Sequence, residues 1–242
     1  MFKRPKQSRK PRLEPAYRPK GLSIIIPVLN EAAGVQRVLQ ALGPLRQRGA
    51  ELIVVDGGSE DDTPALCHGL ADQVLAGPRG RARQMNHGAT QASADRLLFL
   101  HADTELPPNA DVLIAQALAR DRIWGRFDVL IEGRSPWLPV VAAMMNWRSR
   151  STGIATGDQA IFVQRQVFES VGGFPDLPLM EDIEISRRLR ALQAPVCLRQ
   201  RVRTSGRRWD ERGAWRTIVL MWRLRWHYWR GVPAEQLARL YR

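Results

Sequence analysis

Three acids in this chain stand at the ends of short apolar runs. Glu31 follows Ser23-Ile24-Ile25-Ile26-Pro27-Val28-Leu29-Asn30, Asp56 follows Leu52-Ile53-Val54-Val55, and Asp103 follows Leu97-Leu98-Phe99-Leu100-His101-Ala102. Such runs suit strands buried on both faces of a parallel sheet, and an open α/β sheet binds its ligands outside the carboxyl ends of its strands. Singly, each acid is as readily a turn residue or a helix cap. Together, and with Arg81 and Arg83 lying between the second and third, they make a set. Arginines at the start of a helix meet phosphate with their guanidinium forks and the free N–H groups of the first turn at once. A fourth acidic stretch, Glu181-Asp182-Ile183-Glu184, opens a later apolar-periodic segment.

The elements that must carry these residues alternate. Residues 22–26 read as a first strand, and the chain then turns into a helix running to about Arg48, with Asn30 as its N-cap and Glu31 in the first turn. Residues 51–55 form a second strand, followed by Gly57 and Gly58, an acidic cluster and a helix opened by Pro64. A short strand at residues 73–75 leads into Gly77-Pro78-Arg79-Gly80-Arg81-Ala82-Arg83, which lacks the glycine spacing and Lys-Ser/Thr pair of a Walker A loop. A helix to about Ala94 and a strand from Arg96 complete a βαβαβαβ half-sheet suited to a nucleotide. The second half has a helix over residues 111–119, a strand over 124–131 and an apolar helix ending near Trp147. A polar segment, residues 148–156, reads as an acceptor loop. A strand over 160–163 and a helix over 183–192 follow.

The 242 residues allow one α/β domain with additions, and the formal charge of +13 points to anionic partners. Residues 1–20 hold eight Lys or Arg against Glu14 and have no apolar period, which reads as a disordered basic tail, solvated or drawn to anionic lipid. Cys67 and Cys197 have neither metal spacing nor disulfide density, which favours a reducing cytoplasm. The apolar run after the tail is only strand-length, and residues 137–145 are too short to span a bilayer.

With these motifs in order, the sequence resembles the family 2 glycosyltransferases of the GT-A fold. The resemblance rests on residues 23–31, on Val54-Val55-Asp56-Gly57-Gly58-Ser59, on Gly80-Arg81 with Asn86 and Gly88, on Phe99-Leu100-His101-Ala102-Asp103, on Gly172-Gly173-Phe174-Pro175 and on Glu181-Asp182. His-Ala-Asp-Thr, Gly157-Asp158-Gln159 and residues 231–241 are most similar to the bacterial selenodomain-associated transferase 2 subgroup. The resemblance implies an α/β fold: a Rossmann-like, mostly parallel mixed sheet flanked by helices over residues 21–205, with a C-terminal helical extension at 206–242.

It also implies an inverting transfer of a sugar from a nucleotide-diphosphate donor to a hydroxyl acceptor. Pro27, Glu31 and Asp56 match positions that hold the nucleotide, and Arg81 falls where a basic residue lies near the donor; Arg83, at the same helix start, is grouped with it as a donor-binding candidate. Asp103 matches the last acid of the family's Asp-x-Asp motif, whose divalent metal, Mn²⁺ or Mg²⁺, bridges the donor diphosphate. His101 stands where the first acid would be, as an outer ligand, a donor contact or a structural histidine. Asp182 matches the catalytic base; Gly157, Asp158 and Glu181 fall on the acceptor side. Arg207, Arg208 and Trp209 are a candidate diphosphate clamp.

Residues 215–229 add a separate expectation. At 100° per residue Trp215, Ile218, Val219, Trp222, Trp226 and Trp229 share one face, and Leu220, Met221, Leu224 and Tyr228 the other. With Arg216, Arg223 and Arg230 between them, one face can be buried in its own domain and the other offered to a bilayer interface, or both are covered, one by the sheet domain and one by the final helix from Pro233. A lipid acceptor and a peripheral position on the inner face of the cell membrane follow as expectations. Two alternatives stand beside them: a degenerate transferase that binds nucleotide sugar without turnover, suggested by His101, and a basic nucleic-acid-binding protein. The latter is not expected, because acids at strand ends repel phosphate and no recognisable binding module is present.

Overall fold

The computed structural model describes residues 21–241. The basic tail lies outside the described residues, as do the side chains of Arg208, Arg212 and Ala214. In chain order the elements are β1 (Ser23–Val28), α1 (Val35–Ala41), α2 (Gly43–Gln47), β2 (Glu51–Asp56), α3 (Thr63–Cys67), β3 (Gln73–Ala76), α4 (Arg81–Gln91), β4 (Arg96–Phe99) and β5 (Thr104–Glu105). Then come α5 (Ala110–Ala117), β6 (Trp124–Glu132), α6 (Leu138–Thr152), a single 3₁₀ turn (Gly157–Gln159), β7 (Phe162–Gln164), α7 (Arg165–Ser170) and α8 (Glu181–Leu192). The last are β8 (Val196–Ser205), α9 (Arg207–Arg212), α10 (Ala214–Trp229) and α11 (Ala234–Tyr241). Among the described residues the strands form one sheet in the order β3-β2-β1-β4-β7-β6-β8-β5. The first four are mutually parallel, β7 runs against both β4 and β6, and β8 lies parallel to β6.

The period of two in Ile24-Ile25-Ile26 explains how one strand serves two cores. Ile24 and Ile26 join Leu52, Val54, Leu39 and Ile114 on one face of the sheet. Ile25 joins Ile53, Val55, Met85 and Phe99 on the other, under α4 and α8. Gly88 lets α4 lie close to the sheet, since a Cβ there would run into Ile25. Pro27 lies beyond the last β1–β4 pair, Ile25 with Phe99, so its missing N–H falls where β1 has become one-sided.

Several elements differ from the sequence reading. The helix expected from Asn30 to Arg48 begins only at Val35 and breaks at Leu42, where Gly43 and Pro44 open α2. Asn30 is no helix cap: it sits at φ 54, and its side-chain oxygen accepts from the Glu60 N–H across the neighbouring loop. α4 stops at Gln91 rather than Ala94. The segment expected to be a loop from residue 148 is helical to Thr152, with Gly153 ending α6 at φ 69. α7, β5 and the ten-residue β8 are additions. β8 matters to the site, because it pairs Thr204 with Thr104 beside Asp103 and delivers Arg207 to the same sheet edge.

Candidate active site

The carboxyl ends of β1 and β2 are stitched into one ledge. Gln84 of α4 donates from Nε2 to the carbonyls of Val28 and Val55, both at 2.8 Å, and is buried beneath Gly57. The Asp56 carboxylate accepts from the N–H groups of Gly58 and Ser59, each at 3.0 Å, and from the Ser59 hydroxyl. Thr63 accepts from the Glu31 N–H at 2.8 Å, and Ser59 from that of Asn30 at 2.9 Å. Two loops that would otherwise move separately are thereby fixed against each other.

Glu31 faces charges from four other segments. Burial raises its pKa, Asp103 and Asp61 add to the rise, and Arg207 and Arg81 oppose it. The Arg207 guanidinium lies 4.0 Å from the Glu31 carboxylate. Asp103 is held by its own strand end: Ser205 donates to its carbonyl at 3.2 Å and Thr104 to its carboxylate at 3.3 Å.

Arg81, the first residue of α4, joins this group to a second. Its guanidinium is 3.7 Å from Glu181, and although burial acts to lower its pKa, Glu181, Tyr241, Asp158 and Asp182 raise it. Asp182 accepts from Gly157 N–H at 3.0 Å and from its own neighbour Ile183 at 2.8 Å. Burial raises its pKa above the ordinary carboxylate range, against those two bonds and Arg81. Glu181 is raised by burial and by the Asp182 charge. A small enclosed void lies among Met85, His101, Phe174, Gly157 and the two acids. His101 is wedged at its edge: Nδ1 stands 3.2 Å from Asp158 Oδ1, and the Nε2 side packs so closely on Gly157 that a Cβ there would overlap the ring.

Of the residues singled out in the sequence, Glu31, Arg81, Asp103 and Arg207 come together at the strand ends, and His101, Gly157, Asp158, Glu181 and Asp182 come together beside them. Pro27 and Asp56 form part of the ledge. Arg83 turns outward into a two-bond exposed pair with Asp176 at 2.7 and 2.8 Å. Trp209 packs against the larger core, and the Arg208 side chain is outside the described residues. Sequence reasoning missed Gln84, whose role needs the distance between two strands, and Met180, which precedes α8 at φ 70. A left-handed Met is uncommon, and here Leu224 of α10 and Leu237 of α11 pack on it.

Among the described residues no group of three or more His, Cys, Asp or Glu side chains could cage a metal. A hard cation such as Mg²⁺ takes one or two carboxylates and completes its shell with substrate phosphates and water. Asp103, with Glu31 near it, fits a cation of that kind that arrives with a diphosphate.

Comparisons with known proteins agree with this architecture. The model of Glycosyl transferase family 2 matches residues 23–167. An uncharacterized glycosyltransferase of Mycobacterium tuberculosis is 29% identical over 190 residues, covering 74% of this chain and 72% of that protein. The Staphylococcus aureus poly-beta-1,6-N-acetyl-D-glucosamine synthase is 26% identical over 107 residues, covering 42% of this chain and 26% of the synthase. Among solved structures, S. aureus TarS superposes with TM-score 0.63 at 16% identity, covering 77% of this chain and 60% of the TarS chain. The mannosyltransferase PcManGT of Pyrobaculum calidifontis, solved with GDP-Man and Mn²⁺, gives 0.62 at 20% identity over 89% of this chain and 64% of its own.

Proposed function

This chain belongs to glycosyl transferase family 2 and is a nucleotide-sugar-dependent glycosyltransferase of the GT-A fold; we propose that it inverts the anomeric carbon in one displacement, with Asp182 as the base. The observation that carries this reading is the fixed Asp182 carboxylate, joined through Arg81 to the strand-end acids Glu31 and Asp103. Pro27, Glu31 and Asp56 hold the nucleoside against the ledge. Arg81, at the start of α4, and Arg207, at the end of β8, face the diphosphate. Asp103 would hold a divalent cation, Mn²⁺ or Mg²⁺, together with the donor, and that ion would neutralise charge on the departing diphosphate. Asp182 takes the proton of the acceptor hydroxyl as the new bond forms. The finer kinship with the selenodomain-associated subgroup rests on the wording of residues 101–104, 157–159 and 231–241.

Asp103→Ala tests the donor half. In a thermal-shift panel of UDP-, GDP- and dTDP-sugars with Mn²⁺, Mg²⁺ or chelator, one nucleotide class is expected to stabilise the native protein in a metal-dependent way. At ligand one hundred times its Kd the gain is about 2.7 kcal/mol, which the variant should lose. Metal-dependent stabilisation that survives in Asp103→Ala removes Asp103 from the donor site.

α10, whose inner face packs on Met180 before α8, carries an open aromatic surface on its outer face, which supports a lipid acceptor and peripheral membrane contact. Trp215, Val219, Trp222, Trp226 and Trp229 of α10 are exposed, while Leu220, Met221 and Tyr228 pack with Leu224 around Met180. Trp137, at the start of α6, continues the surface, its ring 5.2 Å from that of Trp215. Among the described residues no helix is long and apolar enough to cross a membrane. The full chain is expected to sediment with phosphatidylglycerol vesicles at low salt, and Trp222→Asp with Trp229→Asp to release it. Equal sedimentation of this double variant assigns the contact to another part of the chain.

A further inference from the structure

Behind Asp182 lies a positive cluster that the transfer reaction, as described, does not use. Arg126 of β6 is fully buried; it bonds the Asp128 carboxylate and donates to the Asn146 carbonyl at 3.2 Å, yet its Nε has no partner. Arg150 takes both oxygens of the same Asp128 at 2.8 Å. Arg148, between them on α6, is left over: its Nε and Nη2 are sealed from solvent without a hydrogen-bond partner. Its charged neighbours are Asp182 and Arg126, and burial lowers its pKa. Unpaired buried guanidinium donors are costly, and each calls for an explanation such as a ligand or ion.

Nε and Nη2 form one edge of the guanidinium, the two-donor fork that grips an oxyanion. The side chain as a whole remains partly exposed while the fork is covered, so an oxyanion reaches the fork only when the groups covering it give way. The end of α6 that carries it is also tied to the acceptor turn. Asn146 accepts from Gln159 Nε2 at 3.3 Å, and Gly157 of the same turn donates to Asp182. On the other flank of Arg148, Val140, Met144 and Trp147 form an exposed apolar strip along α6.

We infer that the acceptor carries a phosphate, as monoester or diester, near the hydroxyl that receives the sugar, and that Arg148 binds it. The inference rests on the reading of Asp182 as the base on the acceptor side. A phosphate there pairs the leftover charge while the hydroxyl next to it faces Asp182. Because the fork needs two parallel donors, charge alone is not sufficient.

The experiment measures binding of glycerol 3-phosphate, inorganic phosphate and acetate to the full chain at constant ionic strength, with the nucleoside diphosphate and metal that the thermal-shift panel selects. Phosphatidylglycerol and phosphatidylcholine vesicles form a second arm. Arg148→Met removes the fork and keeps an apolar stem, Arg148→Lys keeps only the charge, and Arg201→Met, on the exposed side of β8, controls for general charge loss. Glycerol 3-phosphate is expected to bind better than acetate and to weaken about tenfold or more in Arg148→Met, with Arg148→Lys between them. Binding of the soluble phosphates without Arg148-dependent preference for phosphatidylglycerol identifies a soluble acceptor; Arg148-dependent preference for those vesicles identifies a lipid phosphodiester. The inference is overturned if neither probe binds above the salt control, or if Arg148→Met binds as the wild type does, while the nucleotide sugar still binds. Failure of the wild type to bind any nucleotide sugar overturns instead the reading on which the inference rests.

Discussion

Asp182→Asn is expected to lower turnover by about 10²- to 10⁴-fold, the usual worth of a general base, and to leave nucleotide-sugar binding intact. The carboxylate is held at both oxygens, by Gly157 N–H and Ile183 N–H, so the amide keeps the shape and one of the two acceptors while losing basicity. Because burial raises the Asp182 pKa, wild-type activity should fall with decreasing pH in a limb lying above the ordinary Asp value of about 3.9. The sign for stability is the opposite. A carboxyl that binds its proton more tightly in the folded state favours folding below the unfolded pKa, and that advantage is lost as pH rises through the raised folded value. Asp182 and Glu181 are both of this kind, so the neutral amide is relieved of a cost at pH 7 that offsets the lost acceptor. Turnover should therefore vanish from a protein that melts near the wild-type temperature. Wild-type turnover in Asp182→Asn would take Asp182 out of the chemistry.

Gly157→Ala is expected to damage both fold and activity, although it adds a single methyl group. The new Cβ would overlap the His101 imidazole, which is held on its other side by Asp158. Overpacking of this sort costs about 1–3 kcal/mol, and in a chain of this size each kcal/mol lowers Tm by about 2–4 °C. Relief by displacement would carry the Gly157 N–H away from Asp182, so turnover should fall further than the loss of stability accounts for. The double variant Gly157→Ala with His101→Ala makes room for the methyl and should recover stability, a coupling that a double-mutant cycle reads directly. If the two substitutions are additive in Tm, His101 is not what confines Gly157.

The half of the fold that was legible in the sequence is the half where burial and pattern coincide. Residues 24–28 and 52–55 are apolar without interruption because both faces of β1 and β2 are covered, and each run stops at the sheet edge. β8 escaped notice because Arg199, Gln200 and Arg201 are exposed in a row and Arg201 and Arg203 flank its buried Val202, so the strand reads as a charged loop. The end of α6 misled in the same way: residues 148–152 are polar yet helical, and Ser149 is buried. Polar sequence implies a loop only when nothing folds over it. Asn30 has the side chain of a helix cap, but its bond crosses to another loop, a partner that no local pattern contains. The aromatic face of α10 was legible as a face, since its spacing is local; that Trp137 of α6 extends it depends on tertiary contact. The same holds for the site. Acids at strand ends announce themselves, whereas the orphan fork of Arg148 emerges only once Asp128 is seen to be shared by two other arginines.

The left-handed Met180 sets an order of assembly. The residue that precedes the two acids of α8 is pinned by Leu224 and Leu237, which the ribosome delivers after every strand of the sheet. A growing chain can thus pair its strands while Asp182, two residues after Met180, still lacks the packing of α10 and α11. The surroundings of Asp182 are complete only after the last two helices have been made and docked.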